Sequence, residues 1–350
     1  MSSTISSIAK ALTTVAVLAA LIALPFWLSD FWITNILVRA MVYGIVALSL
    51  TFLAHYGGLL SLAQMVVAGV AGYTIATTVP GAVPENSWQL PYAIAVPLAV
   101  TTATIAGLLI GAVAVRTRDI YLLMITLAIA VSFYFFAQSN IQYLNGYEGI
   151  RNVLGPYIFG VPLRTPKVFY YVTLAASFAL FALVVYLSKA QFGLVLQGIR
   201  DSPRRVAALG YNVTLHRIAA FGVAGFIAGI GGVLITIYNI GISPGTVSTH
   251  STISILVMAV IGGLGHPVGA FIGAAIFTFV DTFAADLYDR DRFNTLIGAV
   301  FLAIVVVSPD GVTGLFARVR ELLRALLSRA SRSEAAVPHS TINANAPSKG

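Results

Sequence analysis

Seven stretches of this sequence, 12–29, 33–54, 92–115, 120–138, 168–188, 217–238 and 294–308, are apolar almost without interruption. A helix crossing a bilayer needs about 20 such residues. A water-soluble fold cannot hide that many runs, so they confine the chain to lipid. Composition agrees: 58% of residues are hydrophobic and 9% charged, against about 25% charged in a soluble domain. Two further segments, 57–79 and 253–283, are apolar but broken by glycine. Backbone polar groups in lipid must be satisfied internally. The breaks therefore belong against protein or a water-filled cavity, and interrupted helices point to a transport site. The predicted fold class is all-α integral membrane: a polytopic helical bundle of about 8–10 membrane segments, glycine-broken or re-entrant ones included.

The first 30 residues allow a cleaved signal peptide as an alternative. "MSSTISSIAK" is polar and "ALTTVAVLAALIALPFWLS" is apolar. That apolar run exceeds the roughly 7–15 residues of a signal core, and no small-x-small site ends it. It is taken as a first transmembrane helix.

Net charge is +8, but the cations are clustered. Arg116 and Arg118 form one group. Lys189, Arg200, Arg204, Arg205 and Arg217 form a second, and Arg318, Arg320, Arg324, Arg329 and Arg332 a third. Clustering of this kind is a topology signal rather than a nucleic-acid footprint. Placing all three groups in the cytoplasm puts both termini inside. Loops 80–91, 139–167, 239–252 and 284–293 then lie outside. Segment 253–283 must leave and return on the outer side, with "GGLGHP" (262–267) as a re-entrant tip or tight inner turn. The predicted organisation is a transmembrane domain over 1–317, containing a cytoplasmic loop 189–216, and a basic, disordered tail over 318–350.

Several chemistries have no support. There is no cysteine, no G-x-x-x-x-G-K-[ST] phosphate loop, no H-E-x-x-H and no G-x-S-x-G. No catalytic residue and no metal site is expected. Uphill movement of a solute would need an ion gradient or another subunit. Ion-coupled carriers place ionisable groups inside their spans. Here Asp281 near a span end and Arg39 within 33–54 are the thin support for that. A wet outer helix end suits Asp281, and snorkelling suits Arg39. The ion-coupled secondary transporter is the second reading, and a membrane scaffold the third.

The stretch "GIRDSPRRVAALGYN" (198–212) interrupts the oil with a polar segment. Ser202 suits an N-cap, Pro203 the first helical position and Gly210 the stop. A short helix over 203–209 is predicted, with Val206 and Leu209 sharing a face. Arg204 and Arg205 sit in the first turn, where the helix dipole favours anions. Either they enforce topology, or the helix docks an acidic partner.

The wider stretch 188–212 resembles the cytoplasmic loop of Liv-type permeases, the membrane subunits of ATP-binding cassette (ABC) importers for branched-chain amino acids. Ser188, Phe192, Gly193, Ile199, Arg200, Asp201, Ala207, Gly210, Tyr211 and Asn212 match that pattern, while Gly198 stands where alanine is usual. "HYGGLLSLAQMVVAGVAGY" (55–73) is similar through Gly58, Ser61, Leu62, Gln64, Gly69, Gly72 and Tyr73. "RTRDIYLLMITLA" (116–128) matches at Arg116, Arg118, Tyr121, Thr126 and Leu127, with Asp119 replacing a glycine. "VIGGLGHPVGAFIGAA" (260–275) is similar to a late glycine run, and "LNGYEGIRNV" (144–153) is a weaker echo. The resemblance spans about 30–310 and favours the LivM type.

The resemblance implies a permease that performs no chemistry and binds no cofactor, with ATP and magnesium on partner chains. Expected partners are a second permease, two ABC ATPases, a periplasmic or lipid-anchored solute-binding protein and membrane lipid, with no nucleic acid. The expected location is the bacterial inner membrane. The loop becomes the ATPase-coupling element, with Arg200, Asp201, Ser202, Arg204, Arg205, Val206, Ala207, Leu209 and Gly210 as candidates. Ser61, Gln64 and Thr126 are candidates for the solute path, or for bonds to neighbouring helices. Gly225, Gly229, Gly262, Gly263, Gly265, Gly269 and Gly273 are candidates for helix packing or a gate.

Overall fold

The computed structural model describes residues 19–83, 88–117, 120–158, 160–287, 311, 312 and 314. Most of the apolar runs become helices. In chain order these are α1 (Asp30–Gly57), α2 (Gln64–Thr78), α3 (Tyr92–Ala114), α4 (Ile120–Ser139) and α5 (Pro166–Lys189). Then follow α6 (Gln191–Asp201), α7 (Pro203–Ala208), α8 (Val213–Tyr238), α9 (Thr249–Gly262) and α10 (Pro267–Leu287). Among the described residues, α1, α3, α4, α5 and α8 are long and apolar enough to cross a membrane, and the bent pair α9–α10 adds a sixth such segment. Position 12–18 of the expected first span, the 294–308 span and the 318–350 tail lie outside the described residues. The described remainder of the first span is helical and ends in a 3₁₀ turn, Leu24–Phe26. Tyrosines of α5 hold it: the Tyr170 hydroxyl donates to Leu21 O at 2.7 Å and that of Tyr171 to Ile22 O at 3.2 Å.

Burial separates the centre from the rim. The apolar window of α1 is 83% buried and that of α8 is 72%, against 22% for α4 and 33% for α3 and α5. So α1 and α8 form the core, and the other long helices turn one face to lipid. Small residues bring the centre together. Gly107 of α3 lies against Phe221 O and the Cα of Gly225, and Gly229 of α8 against Ala103 and Val100. Residue numbers rise on one helix as they fall on the other, so the pair is antiparallel. The glycines let the backbones approach closely without a hydrophobic driving force.

The helices α9 and α10 are bent by 116° at their break. The chain therefore doubles back, as the charge pattern required of 253–283. Fourteen residues make α9 about 21 Å long, short of the roughly 30 Å hydrocarbon core. Glycines pack the arms: Gly262 lies on Gly269 O, and Gly273 on Met258 O. Gly263 takes φ +101° at the bend, a conformation that favours glycine.

Loops sort to two ends. At one, β1 (Ile150–Arg151), β2 (Tyr157–Ile158) and β3 (Val161–Pro162) gather with β4 (Gly241–Ile242). The β1 strand pairs antiparallel with β4, Ile150 opposite Ile242, and β2 pairs antiparallel with β3. Val83 bridges to Arg151. The other end carries α6, α7, the break between α1 and α2, and the α9–α10 bend. Gly311 lies against Gly263 and Val260 there.

One expectation needs revision. The loop 189–216 holds two helices, not one. Gln191–Asp201 is helical because Gly193, Leu196 and Ile199 share a buried face, a spacing that is easily passed over in so polar a stretch.

Candidate functional site

The structure brings three of the sequence motifs to one point. α1 stops at Gly58, whose φ of +63° is left-handed. No intervening side chain separates it from α6: a methyl group on Gly58 would come within 2.7 Å of Arg200 Cγ. Arg200 reaches across that gap and donates from Nη1 to His55 O at 2.5 Å. Its Nε also bonds Asp201 Oδ1 at 3.0 Å. The carbonyl of His55 is one that the end of α1 leaves without a helical partner, so a charged donor there acts as a cap supplied from another helix. An open pocket of about 310 Å³ forms around this clasp. Its walls are Ala54, His55, Gly58 and Leu60, with Arg200 from α6 and Leu264 and Gly265 from the α9–α10 bend.

The polar residues of the α1–α2 break lie just beyond. Ser61 and Thr126 are fully buried and Gln64 nearly so. Thr126 Oγ1 accepts the Leu62 N–H at 3.0 Å and donates to Leu122 O at 2.9 Å. Ser61 Oγ accepts the Ala63 N–H at 3.2 Å. Gln64 Oε1 accepts from Ser49 Oγ at 3.1 Å. Each satisfies backbone or side chain around the unwound segment, which is what a break at membrane depth demands. The three do not open onto the pocket that Arg200 caps. Buried hydroxyls that do lack a partner among the described residues are those of Tyr73, Ser177, Thr252 and Thr278.

The second helix of the loop shows how its sequence works. Ser202 takes the N-cap position with extended backbone, φ −159° and ψ 92°, but makes no side-chain cap bond. Pro203 then sets the first turn. At the far end Gly210 N–H bonds Ala207 O at 3.0 Å and Tyr211 N–H reaches Val206 O at 3.4 Å. With Gly210 at φ +89°, this is a Schellman stop. Val206 and Leu209 part company. Val206 is 8% exposed and packs over Gly198, whereas Leu209 is 76% exposed. Arg204, Arg205 and Ala207 are exposed too. The outer face of α7 is thus two cations and a leucine.

The other matched loop residues fix α6 and α7 against the bundle. Gly193 abuts Leu187 O, so the chain can turn sharply out of α5. Gln197 Nε2 donates to Ser188 O at 3.0 Å. Asn212 caps α8 by accepting the Leu215 N–H at 3.0 Å. Among the described residues no group of three or more His, Asp or Glu is placed to hold a metal.

Sequence reasoning missed two features. His55 and Ser49 carried no signal, since one contributes a backbone carbonyl and the other a lone hydroxyl in an apolar run. In the sequence Arg39 stands apart as a snorkelling cation and Asp281 as a wet helix end. They pair, Arg39 Nη2 to Asp281 Oδ2 at 2.6 Å.

Residues 32–305 match the family model described as branched-chain amino acid transport system, permease component. The chain belongs to this family. It is a multi-pass helical membrane protein, of the class of permease subunits of ABC importers. It is similar to the high-affinity branched-chain amino acid transport permease LivM of Salmonella typhimurium, 21% identical over 88% of this chain and 76% of that one. A probable LivM of Methanocaldococcus jannaschii is 25% identical over 61% of this chain and 67% of that one. The ribose import permease RbsC of Haemophilus influenzae is 21% identical over 81% and 85%. No solved structure matches.

Proposed function

We propose that this permease moves branched-chain amino acids, or related small polar solutes, inward across the bacterial inner membrane. It does no chemistry itself. ATP, with magnesium, is hydrolysed on two ATPase subunits, a second permease completes the path, and a periplasmic or lipid-anchored binding protein delivers the solute. The end of the bundle that carries α6 and α7 faces the cytoplasm, as do both termini. The 318–350 tail follows there, beyond the domain over 1–317.

One observation carries this reading: the clasp of Arg200 on His55 O and Gly58. It ties the loop that would meet an ATPase to the unwound segment between α1 and α2. The α9–α10 bend lines the same pocket. Displacement of α7 is therefore delivered to two helix breaks at once, where backbone rearrangement is cheapest. The exposed cations Arg204 and Arg205 suit an acidic cleft on the ATPase, while Val206 serves the loop's own packing. Asp281 supports the ion-coupled alternative poorly, because Arg39 already neutralises it.

The test reverses the two exposed cations. In the reconstituted importer, R204E with R205E should lower uptake by about tenfold or more, with membrane insertion unchanged. ATP hydrolysis should no longer respond to loaded binding protein. Wild-type uptake by this double variant would overturn the coupling role.

A further inference from the structure

The Arg39–Asp281 pair lies far from the coupling end. Arg39 is about 27 Å along α1 from Gly57, and Asp281 about 21 Å along α10 from Pro267. Against a hydrocarbon core of about 30 Å, both helices place the pair beyond the midplane, in the half nearer the β1–β4 loops. Charges at such depth are costly and face a polar cavity or each other. Here they do both. They bond at 2.6 Å, yet 32% of the Arg39 side chain and 22% of that of Asp281 stay open. The Arg39 guanidinium sits 6.0 Å from the Tyr43 ring centre, and Tyr238 stands within reach of its charge. A π-helical turn over Ile33–Val38 leads directly into Arg39. Such turns widen a helix and recur at functional sites.

From this arrangement we infer that Arg39 and Asp281 form an exchange site for a zwitterion. The inference rests on the reading of the chain as an importer of amino acids or their kin. An arriving solute places its carboxylate on Arg39 and its ammonium on Asp281. Each protein charge swaps one partner for another, so none is stranded in a poorly solvating place. A solute with one charge cannot do this, because it leaves the opposite protein charge unpaired. Exchange also parts α10 from α1, and α10 is the arm behind the glycine bend. The site is self-closing when empty, which keeps it weak enough to release what it takes.

The test uses the whole complex, this permease with its partner permease and ATPases, without binding protein. Its thermal unfolding midpoint is measured in leucine, leucinamide (cation only) and 4-methylpentanoate (anion only) at equal ionic strength. Leucine should raise the midpoint and the two analogues should leave it unmoved. R39Q with D281N should abolish the leucine shift and, with binding protein restored, lower ATP-driven leucine uptake by about tenfold or more. Its hydrolysis of ATP in response to loaded binding protein should persist. No leucine shift, an equal shift from either analogue, or an undiminished shift or uptake in the double variant overturns the inference. So does loss of uptake and stimulated hydrolysis together, which marks a plain structural lock. If the variant fails to assemble, the analogue comparison on the wild-type complex decides. A wild-type complex that imports no amino acid at all would instead overturn the reading on which this rests.

Discussion

At the scale of single residues, the meeting of α1 and α6 depends on an absent side chain. Gly58 is left-handed, and Arg200 Cγ fills the space a methyl group would take. Gly58→Ala should cost about 1–2 kcal/mol from backbone conformation alone. It should also push Arg200 off His55 O, so uptake falls further than the lowered melting midpoint explains. Thr126 gives a cleaner case. Thr126→Val leaves the Leu62 N–H without its acceptor, at about 1–3 kcal/mol. Thr126→Ser keeps the hydroxyl and should melt close to wild type in a detergent thermal scan. Both residues were visible in the sequence as motif positions, Gly58 as a glycine in the broken segment 57–79 and Thr126 as a polar group in oil. What each touches was not visible, because His55 takes part through its backbone and Arg200 lies 145 positions away in sequence. The pairing of Val206 with Leu209 failed for a related reason. Spacing predicts a shared face in a long helix, but α7 has six residues, and Leu209 falls on its C-cap.

At the scale of elements, the apolar runs predicted the long helices well, since span length in lipid is set by bilayer thickness. The polar helix α6 escaped because its periodicity covers little more than three turns and sits in a cation-rich loop. Glycine marked the right places without saying what each does. Gly273 lies on Met258 O, so a side chain there has no room, while Gly265 has nothing within 4 Å. Gly273→Ala should therefore wedge α9 from α10 and destabilise by about 1–3 kcal/mol. Gly265→Ala should leave the stability within about 0.5 kcal/mol of wild type and the melting midpoint nearly unmoved. Matching midpoints for the two variants would contradict the packing described for the bend.

At the scale of the whole molecule, the described helix ends and loops sort into two groups. β1–β4 and Val83 gather at one end, and Arg200, the α1–α2 break and the α9–α10 bend at the other. Which loops share an end was legible because it follows from counting spans between basic loops. The Arg39–Asp281 pair was not, because it joins residues from opposite ends of the chain that only folding brings together. The central claim is that the chain is a passive path driven from outside through α6 and α7. Leucine uptake into proteoliposomes holding the complete complex tests it most directly. The account predicts accumulation only with ATP and binding protein both present, and none from a proton or sodium gradient alone. Gradient-driven accumulation by this chain without ATPase subunits would contradict it.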